Sequence, residues 1–326
     1  MNNQINDVKK SLFFKIRRSR LISEGSLLIV LIVMIVFLSI MSDVFLTVKN
    51  IQNLLRQASI NGIVAIGITF VIIAGGIDLS VGAIVGFSGM LCSIFMRDGM
   101  NMFLAIFIAL IGSAILGAIN GITIHKGKVP PFIATLGMMT VTRGVIMLMS
   151  GAAMVSGLPR SFTAFAVAIS FGLPAIIWVW IIAIIFAVFI TKYTTFGRNI
   201  YSIGSNIESS WLSGVNTGKV IVGVYTLCAI FSGVAGIILS SRISSGVPTA
   251  GQGYELDAIA AAVIGGASLS GAEGSVFGTV IGAIIMQMLR NGGNLLGVNP
   301  FILDIIIGSL IVLTVLFDQR NKLIKE

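Results

Sequence analysis

The sequence predicts an all-α membrane protein, a polytopic bundle of about ten transmembrane helices, from three features. Apolar residues make up 56% of the 326 residues and charged residues only 10%, which is more apolar material than a soluble core of this length can bury. Several apolar stretches approach the roughly 20 residues that a helix needs to cross about 30 Å of hydrocarbon. The 38 glycines fall largely inside these stretches, where small side chains let helix backbones pack closely.

The apolar runs place the predicted spans in order along the chain. They lie near residues 26–42, 59–77, 80–96, 102–124, 132–150, 174–191, 219–240, 257–271, 275–290 and 301–317. The first run follows six basic residues, as in a signal peptide, but no small-residue cleavage site follows before Asp43, so it is predicted to remain as a span. No proline-rich or low-complexity tract divides the chain. It is therefore predicted to consist of a basic cytoplasmic segment (1–25), one transmembrane domain (26–317) and a cytoplasmic tail (318–326).

The distribution of basic residues predicts the orientation of these spans. With the N-terminus inside, the two ends and the loops near 125–131 and 192–219 hold 14 of the 21 Lys and Arg residues. Basic residues near span ends stay on the cytoplasmic side, so both termini are predicted to be cytoplasmic. The same spread along the chain argues against nucleic-acid binding, which needs clustered positive charge.

Two segments rich in Gly and Ser, 75–82 and 265–275, are predicted to be broken helices or re-entrant turns. Exposed backbone at membrane depth is tolerated only where protein or a water-filled cavity surrounds it. The run from Gly75 to Ser80 also resembles the run from Gly265 to Ser270. This echo fits either an internal duplication or chance recurrence in a glycine-rich chain.

The inventory of reactive side chains is poor for an enzyme. The single histidine, His125, lies beside Lys126 in a predicted loop, and the chain has no HExxH motif or His/Cys cluster, so no metal site is predicted. Gly127-Lys128 and Gly218-Lys219 lack the other residues of a phosphate-binding loop. No catalytic residue and no bound cofactor are therefore predicted. If the chain takes part in an ATP-driven process, another polypeptide has to hold ATP with Mg²⁺.

Polar residues in or beside apolar spans are candidate functional residues because a charge at a helix centre costs about 2.5–3.5 kcal/mol on insertion scales. Asp78 precedes a predicted helix, where its carboxylate either caps backbone N–H groups or lines a path and accepts hydrogen bonds from a solute. Glu255 and Asp257 pose the same alternatives where they open the span predicted to begin near residue 257, since acidic side chains also favour the positive end of the helix dipole. Arg143 and Asp304 lie deeper, and an ion pair between them is a further hypothesis. The complete set of path or cap candidates is Asp78, Ser80, Glu255, Asp257, Asn291 and Asn294.

The loop 192–219 contains a short predicted helix. Asn206 is a helix-capping residue type before Ile207, and Ser213-Gly214 can end the helix. This helix is either an interfacial element anchored by Trp211 or a docking element for a cytoplasmic partner. The docking alternative involves Asn206, Glu208, Ser209, Ser210, Leu212, Ser213 and Gly214.

Seven motifs in order resemble the ribose-type branch of the ABC sugar importer permeases, a family with allose, xylose and galactose members. They are Gly62 to Gly67, Gly76 to Gly82, Pro131 to Gly137 with Arg143-Gly144, Phe196 to Arg198, Ser213 to Asn216, Gly253 to Ala261, and Asn291 to Gly297. The sequence departs from the family at Ser209, Ser210 and Trp211, where two alanines are common, and at Ala272, where glycine is usual.

The resemblance implies a multi-pass permease subunit in the bacterial inner membrane that imports a monosaccharide such as ribose or allose. It further implies a cytoplasmic ATP-binding subunit, a periplasmic sugar-binding protein and a second permease copy, a homodimer, surrounded by lipid. The stretch from Asn206 to Asn216 resembles the loop that contacts the ATPase. An ion-coupled secondary transporter is the main alternative, because such proteins also use broken helices; a membrane enzyme and an assembly subunit are weaker ones.

Overall fold

The computed structural model describes residues 25–323 and consists almost entirely of helices. The predicted basic segment 1–25, apart from its last residue, and the final residues of the predicted tail lie outside the described residues. The helices are α1 (Gly25–Met41), α2 (Val48–Ile73), α3 (Val81–Arg97), α4 (Met102–His125), α5 (Pro131–Ser150), α6 (Arg160–Val167), α7 (Ala175–Tyr193), α8 (Thr195–Ser205), α9 (Ile207–Leu212), α10 (Thr217–Ile243), α11 (Tyr254–Ile264), α12 (Val276–Leu295) and α13 (Pro300–Leu323).

Five of the described helices, α2, α4, α5, α7 and α10, are long and apolar enough to cross a membrane, and α1, α3 and α13 provide shorter apolar segments. The chain is thus an all-α membrane protein in its architecture. Fewer helices meet the length and composition of a full span than the ten predicted from the apolar runs. The difference arises because α3 and α11 are short and α12 carries several polar residues.

Helices α2 and α10 form the centre of the bundle. Most of α2 is buried, including the whole run from Gly62 to Ile73. Gly67 lies against the α10 backbone at Cys228, and the ring of Trp180 from α7 covers Gly62. A Cβ at Gly62 would overlap the Trp180 ring, and a Cβ at Gly67 would crowd the α10 backbone, so the absence of a Cβ at both positions allows close helix packing.

The turns between helices gather at two ends of the bundle. At one end Gly271 packs against Gly75 and Gly204, and we call this the Gly-turn end (residues 74–80, 126–130, 194–216 and 265–275). At the other end Val155 and Gly246 form an antiparallel bridge, and we call this the hairpin end (residues 42–47, 98–101, 151–174 and 296–299).

The hairpin end carries elements that the apolar pattern did not predict. Strand β1 (Ile169–Ser170) pairs antiparallel with β2 (Leu173–Pro174) through a turn in which Phe171 and Gly172 have φ values of 52° and 78°. The Ser241 hydroxyl donates a 2.6 Å hydrogen bond to the Phe162 carbonyl and so ties α6 to α10. These short elements lack the long apolar runs from which spans are predicted.

Helix α2 begins at Val48, eleven residues before the predicted start near residue 59. Its first three turns contain Asn50, Asn53, Arg56 and Gln57, which interrupt the apolar run. Asn50 and Asn291 of α12 exchange two side-chain hydrogen bonds of 3.1 and 2.9 Å, and Gln57 accepts one of 3.1 Å from Gln287. Asn50 and Gln57 can occupy these turns because α12 supplies partners for them, and Asn53 accepts a hydrogen bond from Arg242 of α10.

Candidate functional site

The predicted break before α3 is observed, and it carries a buried polar network. Asp78 is fully buried, and its Oδ1 accepts hydrogen bonds from the backbone N–H of Ser80 at 2.8 Å and from the Ser80 hydroxyl at 2.6 Å. The Asn120 amide of α4 donates to the Ser80 hydroxyl at 2.9 Å. Because Ser80 immediately precedes α3, the carboxylate orders the start of that helix.

The other carboxylate oxygen of Asp78 has fewer hydrogen-bond donors around it. Asp78 Oδ2 accepts no hydrogen bond of ordinary geometry from the residues that the structure describes. The Cys228 thiol of α10 lies beside this carboxylate, and a thiol is only a weak donor. Cys228 is thus a buried neighbour of Asp78.

Helix α3 starts inside the bundle, not at its end. Asn120, which reaches Ser80, lies five residues before the end of α4, or about 8 Å at the helical rise of 1.5 Å per residue. The segment 74–80 therefore enters the bundle from the Gly-turn end as non-helical backbone. Its Ile77 carbonyl accepts hydrogen bonds from Thr135 of α5 at 3.4 Å and Tyr225 of α10 at 3.5 Å, so protein groups replace the missing helical bonds.

A second break, between α10 and α11, was not predicted. Gly246 packs on Met90 and Ser93, and further along the segment Gly251 packs on Gly82. The segment therefore runs along α3 from the hairpin end back towards the start of α3. It was missed because its single glycines and Pro248 read as an ordinary external loop.

The starts of α3 and α11 meet at this point. Glu255, in the first turn of α11, packs on the backbone of Gly82, where any side chain would overlap its carboxylate. Glu255 Oε1 accepts the Gly253 N–H at 3.2 Å. Glu255 Oε2 is buried without a hydrogen-bond partner among the described residues. This oxygen can therefore still accept a hydrogen bond.

Arg143 of α5 lies across the same junction. Its Nη1 donates to the carbonyls of Ala250 at 2.7 Å and Pro248 at 3.4 Å, and it interacts electrostatically with Glu255. Arg143 and Glu255 are each half-buried, and Leu256 beside them is exposed. The junction thus forms part of an outer face of the single chain.

The hypothesised ion pair between Arg143 and Asp304 is wrong. Asp304 instead lies 3.3 Å from Arg290 of α12, and the Asp304 side chain is 63% exposed. The main partner of Arg290 is Asp257, which accepts two hydrogen bonds of 2.9 and 2.7 Å in a bidentate pair. Arg143 lies on α5 and Asp304 on α13. Local sequence patterns do not tell how far apart two such helices lie, so the pairing could not be predicted from them.

Asp257 and the two predicted asparagines occupy different surroundings. Asp257 is buried and does not cap α11 with its side chain, since Arg290 takes both oxygens. Asn291 is buried in its pair with Asn50, whereas Asn294 is exposed near the hairpin end. Three candidates were not predicted from the sequence: Arg290, Gln57 and Gln287. Polar residues recur at three- and four-residue intervals on α2 and α12, and this spacing is the signal that could have found them.

The short helix α9 forms as predicted. The Asn206 side chain accepts the Ser209 N–H at 2.7 Å, and Gly214 has a φ of 85° just after the helix ends. The Ser210 hydroxyl is buried against the Ser202 hydroxyl of α8 at 2.7 Å, while the apolar side chains of α9 point outward. The exposed fractions are 50% for Ile207, 64% for Trp211 and 73% for Leu212.

A cavity of about 630 Å³ opens behind α9 at the Gly-turn end. It is lined by Gly75, His125, Lys128, Glu208 and Tyr225, among others. His125 also lies close to Gly218 at the start of α10. The predicted loops 125–131 and 192–219 therefore lie on the same side of the bundle.

The segment 265–275 closes the Gly-turn end. The Ala272 N–H donates to the Ile73 carbonyl at 2.9 Å, which joins this segment to the end of α2. Ala272 has a φ of 61°, a left-handed conformation that favours glycine. The sequence similarity between Gly75–Ser80 and Gly265–Ser270 does not extend to the backbone conformation. In the first run φ is positive at the first glycine, Gly75, whereas in the second run it is positive at the second glycine, Gly266.

Comparisons with known proteins yield one family. A profile of the family described as "Branched-chain amino acid transport system / permease component" matches residues 50–315. The ribose import permease protein RbsC of Escherichia coli is 41% identical over 303 residues, which cover 92% of this chain and 94% of the relative. RbsC of Bacillus subtilis is 44% identical over 293 residues, 89% and 91% of the two chains. The D-allose transport system permease protein AlsC of Escherichia coli is 36% identical over 297 residues, 90% and 91%. No solved structure gives a significant match.

Proposed function

The chain belongs to this family of permease components, and from that membership we propose that it is the channel-forming subunit of a bacterial ATP-driven monosaccharide importer. It is a multi-pass protein of the inner membrane and a transport component, not an enzyme. The observation that carries the proposal is the nearly full-length match to permeases named for ribose and allose import. A ribose- or allose-like sugar is therefore the proposed substrate.

The proposed topology has ten crossings and two cytoplasmic termini. The crossing elements are α1, α2, α3, α4, α5, α7, α10, α11, α12 and α13. The non-helical segments 74–80 and 244–253 complete the crossings of the short helices α3 and α11. The Gly-turn end carries Lys126, Lys128 and Arg198, and this bias supports a cytoplasmic location for it. The hairpin end then faces the periplasm and receives the sugar-binding protein.

Helix α9 is the proposed docking element for an ATP-binding subunit. Its outward Ile207, Trp211 and Leu212 form an apolar surface at the basic end of the bundle, and Asn206 holds the helix in place through its cap. ATP and Mg²⁺ would be bound by that partner, and this chain would bind no cofactor. Movement of the partner on ATP binding would reach the bundle through α9 and α8.

A second copy of the chain is the proposed cover for the face around Arg143 and Glu255. These charged groups are only half-buried in a single chain, and lipid is a costly environment for them. On the same helix, α5, Gly137 and Gly144 meet open space, which leaves room for a close helix contact. A homodimer would place two such faces together around a sugar path.

Leu212→Gln tests the docking proposal. Removing an apolar anchor from α9 should lower both ATP-dependent uptake and the recovery of the ATPase with the permease by at least about tenfold, as for a docking hot spot. The matched control is Phe103→Gln, because Phe103 has the same exposed fraction of 73% but lies at the hairpin end. Equal uptake in the two variants would contradict the docking role.

Uptake of labelled ribose and allose tests the function as a whole. Cells with and without the gene are compared after ATP depletion by arsenate or after addition of a protonophore. Gene-dependent uptake that fails mainly on ATP depletion supports the importer. Uptake that collapses mainly with the proton gradient identifies the ion-coupled secondary transporter instead.

A further inference from the structure

A polar cavity of about 300 Å³ lies beside the start of α11, among α2, α12 and α13. Four amide side chains line it: Gln57, Asn61, Gln252 and Gln287. The charged residues Asp257, Arg290 and Asp304 complete its polar wall, and Tyr254 supplies an aromatic ring. So many polar groups inside a membrane bundle are costly unless they serve each other or a ligand.

The cavity reaches well into the bundle. Gln57 and Asn61 lie 9 and 13 residues after the first residue of α2, which is about 14 and 20 Å from the hairpin end of that helix. On α13, Asp304 lies four residues from the start, or about 6 Å along that helix. A solute entering from the hairpin end would therefore meet these side chains on its way to the middle of the bundle.

The charged groups in the cavity form ion pairs and hydrogen bonds with each other. Asp257 gives both carboxylate oxygens to Arg290, and Arg290 also contacts Asp304. Asp257 therefore has little capacity left to hold a cation. The cavity is better suited to a neutral ligand than to an ion.

The amides keep hydrogen-bonding capacity that a neutral polar ligand can use. Asn61 Oδ1 is buried with no hydrogen-bond partner among the described residues, and the Gln252 side chain is exposed at the rim. An amide both donates and accepts, which matches hydroxyl groups that do the same. At about 30 Å³ per water the cavity holds about ten waters, which is room for one monosaccharide with some of its hydration.

We propose that this cavity is a binding site for a single monosaccharide within the permease itself, occupied between release at the hairpin end and passage to the Gly-turn end. The proposal rests on the proposed function. Asn61 Oδ1 accepts from a sugar hydroxyl, Gln252 closes the rim, and the ring of Tyr254 packs on the C–H face of the sugar.

The test is equilibrium binding of labelled D-ribose and D-allose to the full-length permease in lipid nanodiscs, without its partners, by saturation-transfer NMR. Saturable binding of either sugar is expected in the wild type. Asn61→Leu and Gln252→Leu should each weaken it about five- to tenfold, because each removes one hydrogen-bonding group. Gln252 is exposed, so Gln252→Leu tests the site even where Asn61→Leu impairs folding. The control is Asp98→Asn, at an exposed residue outside the cavity that pairs with Arg97, which should bind as the wild type does.

Import by the complete transporter in proteoliposomes separates the two proposals. A rise in the KM for sugar in Gln252→Leu, with wild-type KM in Asp98→Asn, supports the site. Wild-type import with no saturable binding to the permease, or equal binding in all variants, overturns the site and leaves the importer standing. Failure of the wild-type transporter to import either sugar overturns the proposed function itself.

Discussion

Two helices start inside the bundle, α3 after Asp78 and α11 at Tyr254, and the acidic residues at these two starts differ in how deeply they are buried. Asp78 is fully buried and accepts two hydrogen bonds from Ser80, its own neighbour in sequence. Glu255 is half-buried beside an exposed face. Each carboxylate has one oxygen without a hydrogen-bond partner among the described residues. The fully enclosed carboxylate of Asp78 contributes to folding through its bonds to Ser80, whereas the free oxygen of Glu255 at an outer face is available to a solute or a second copy.

The largest expected effect is loss of folded protein in Asp78→Ala. The substitution leaves the Ser80 N–H and hydroxyl without their acceptor in a buried site, at a cost of about 3 kcal/mol. The amount of protease-resistant protein in the membrane should fall more than tenfold. Asp78→Asn keeps one oxygen acceptor and should fall between Asp78→Ala and the wild type. Wild-type abundance with lost uptake in Asp78→Ala would place Asp78 on the sugar path.

Gly82→Ala tests whether the two helix starts depend on their contact. A Cβ at this position would overlap the Gly251 carbonyl and the Glu255 carboxylate, and such overpacking costs about 1–3 kcal/mol. The thermal unfolding midpoint in detergent should fall clearly. Gly308→Ala on α13 is the control, because a Cβ there meets open space; an equal drop in both variants would argue against a specific contact.

Glu255→Gln and Arg143→Gln address the exposed side of the comparison. Each should lower ATP-dependent sugar uptake about tenfold. Glu255→Gln should leave membrane abundance near that of the wild type, because Glu255 is half-buried and its Oε2 serves no internal partner, whereas Arg143→Gln should lower abundance modestly because it loses its hydrogen bond to the Ala250 carbonyl. Asp98→Asn, which removes a charge from an exposed pair with Arg97, should leave uptake unchanged. If Glu255→Gln lowers the membrane abundance of the protein and leaves the uptake per folded molecule unchanged, Glu255 is a structural residue like Asp78.

The smallest expected effect is a gain in stability from Ala272→Gly. Glycine adopts a φ of 61° without the steric cost that alanine bears, so unfolding should cost about 1 kcal/mol more. The rise in the thermal midpoint is compared with that of Ala267→Gly, a buried alanine of the same segment without a positive φ, which should be destabilised. A drop in both variants would contradict the strain at Ala272.

The sequence predicts the parts of this fold that depend on local pattern. Apolar runs locate most helices within a few residues, and the residue types at Asn206 and Gly214 suffice to place α9. The break before α3 follows from Gly75-Gly76 and Asp78. In each case the physical cause lies within a few residues of its effect.

The rest depends on residues far apart in the chain. The early start of α2 needs Asn291 and Gln287, more than 200 residues away, as partners for Asn50 and Gln57. The pairing of Arg290 with Asp257 and the position of 244–253 along α3 depend on tertiary packing in the same way. Local periodicity contains no information on which polar residues of two helices will face each other.

The arrangement of charges around Arg290 bears on the order in which the chain assembles as it is synthesised. Asp257 is made 33 residues before Arg290, and Asp304 follows it only on α13. An unpaired charge in the bilayer is costly, and Arg290 can form its bidentate pair as soon as α12 meets α11. The bundle therefore does not have to wait for its last helix to neutralise this half-buried arginine, and α13 can join a core in which the pair has already formed.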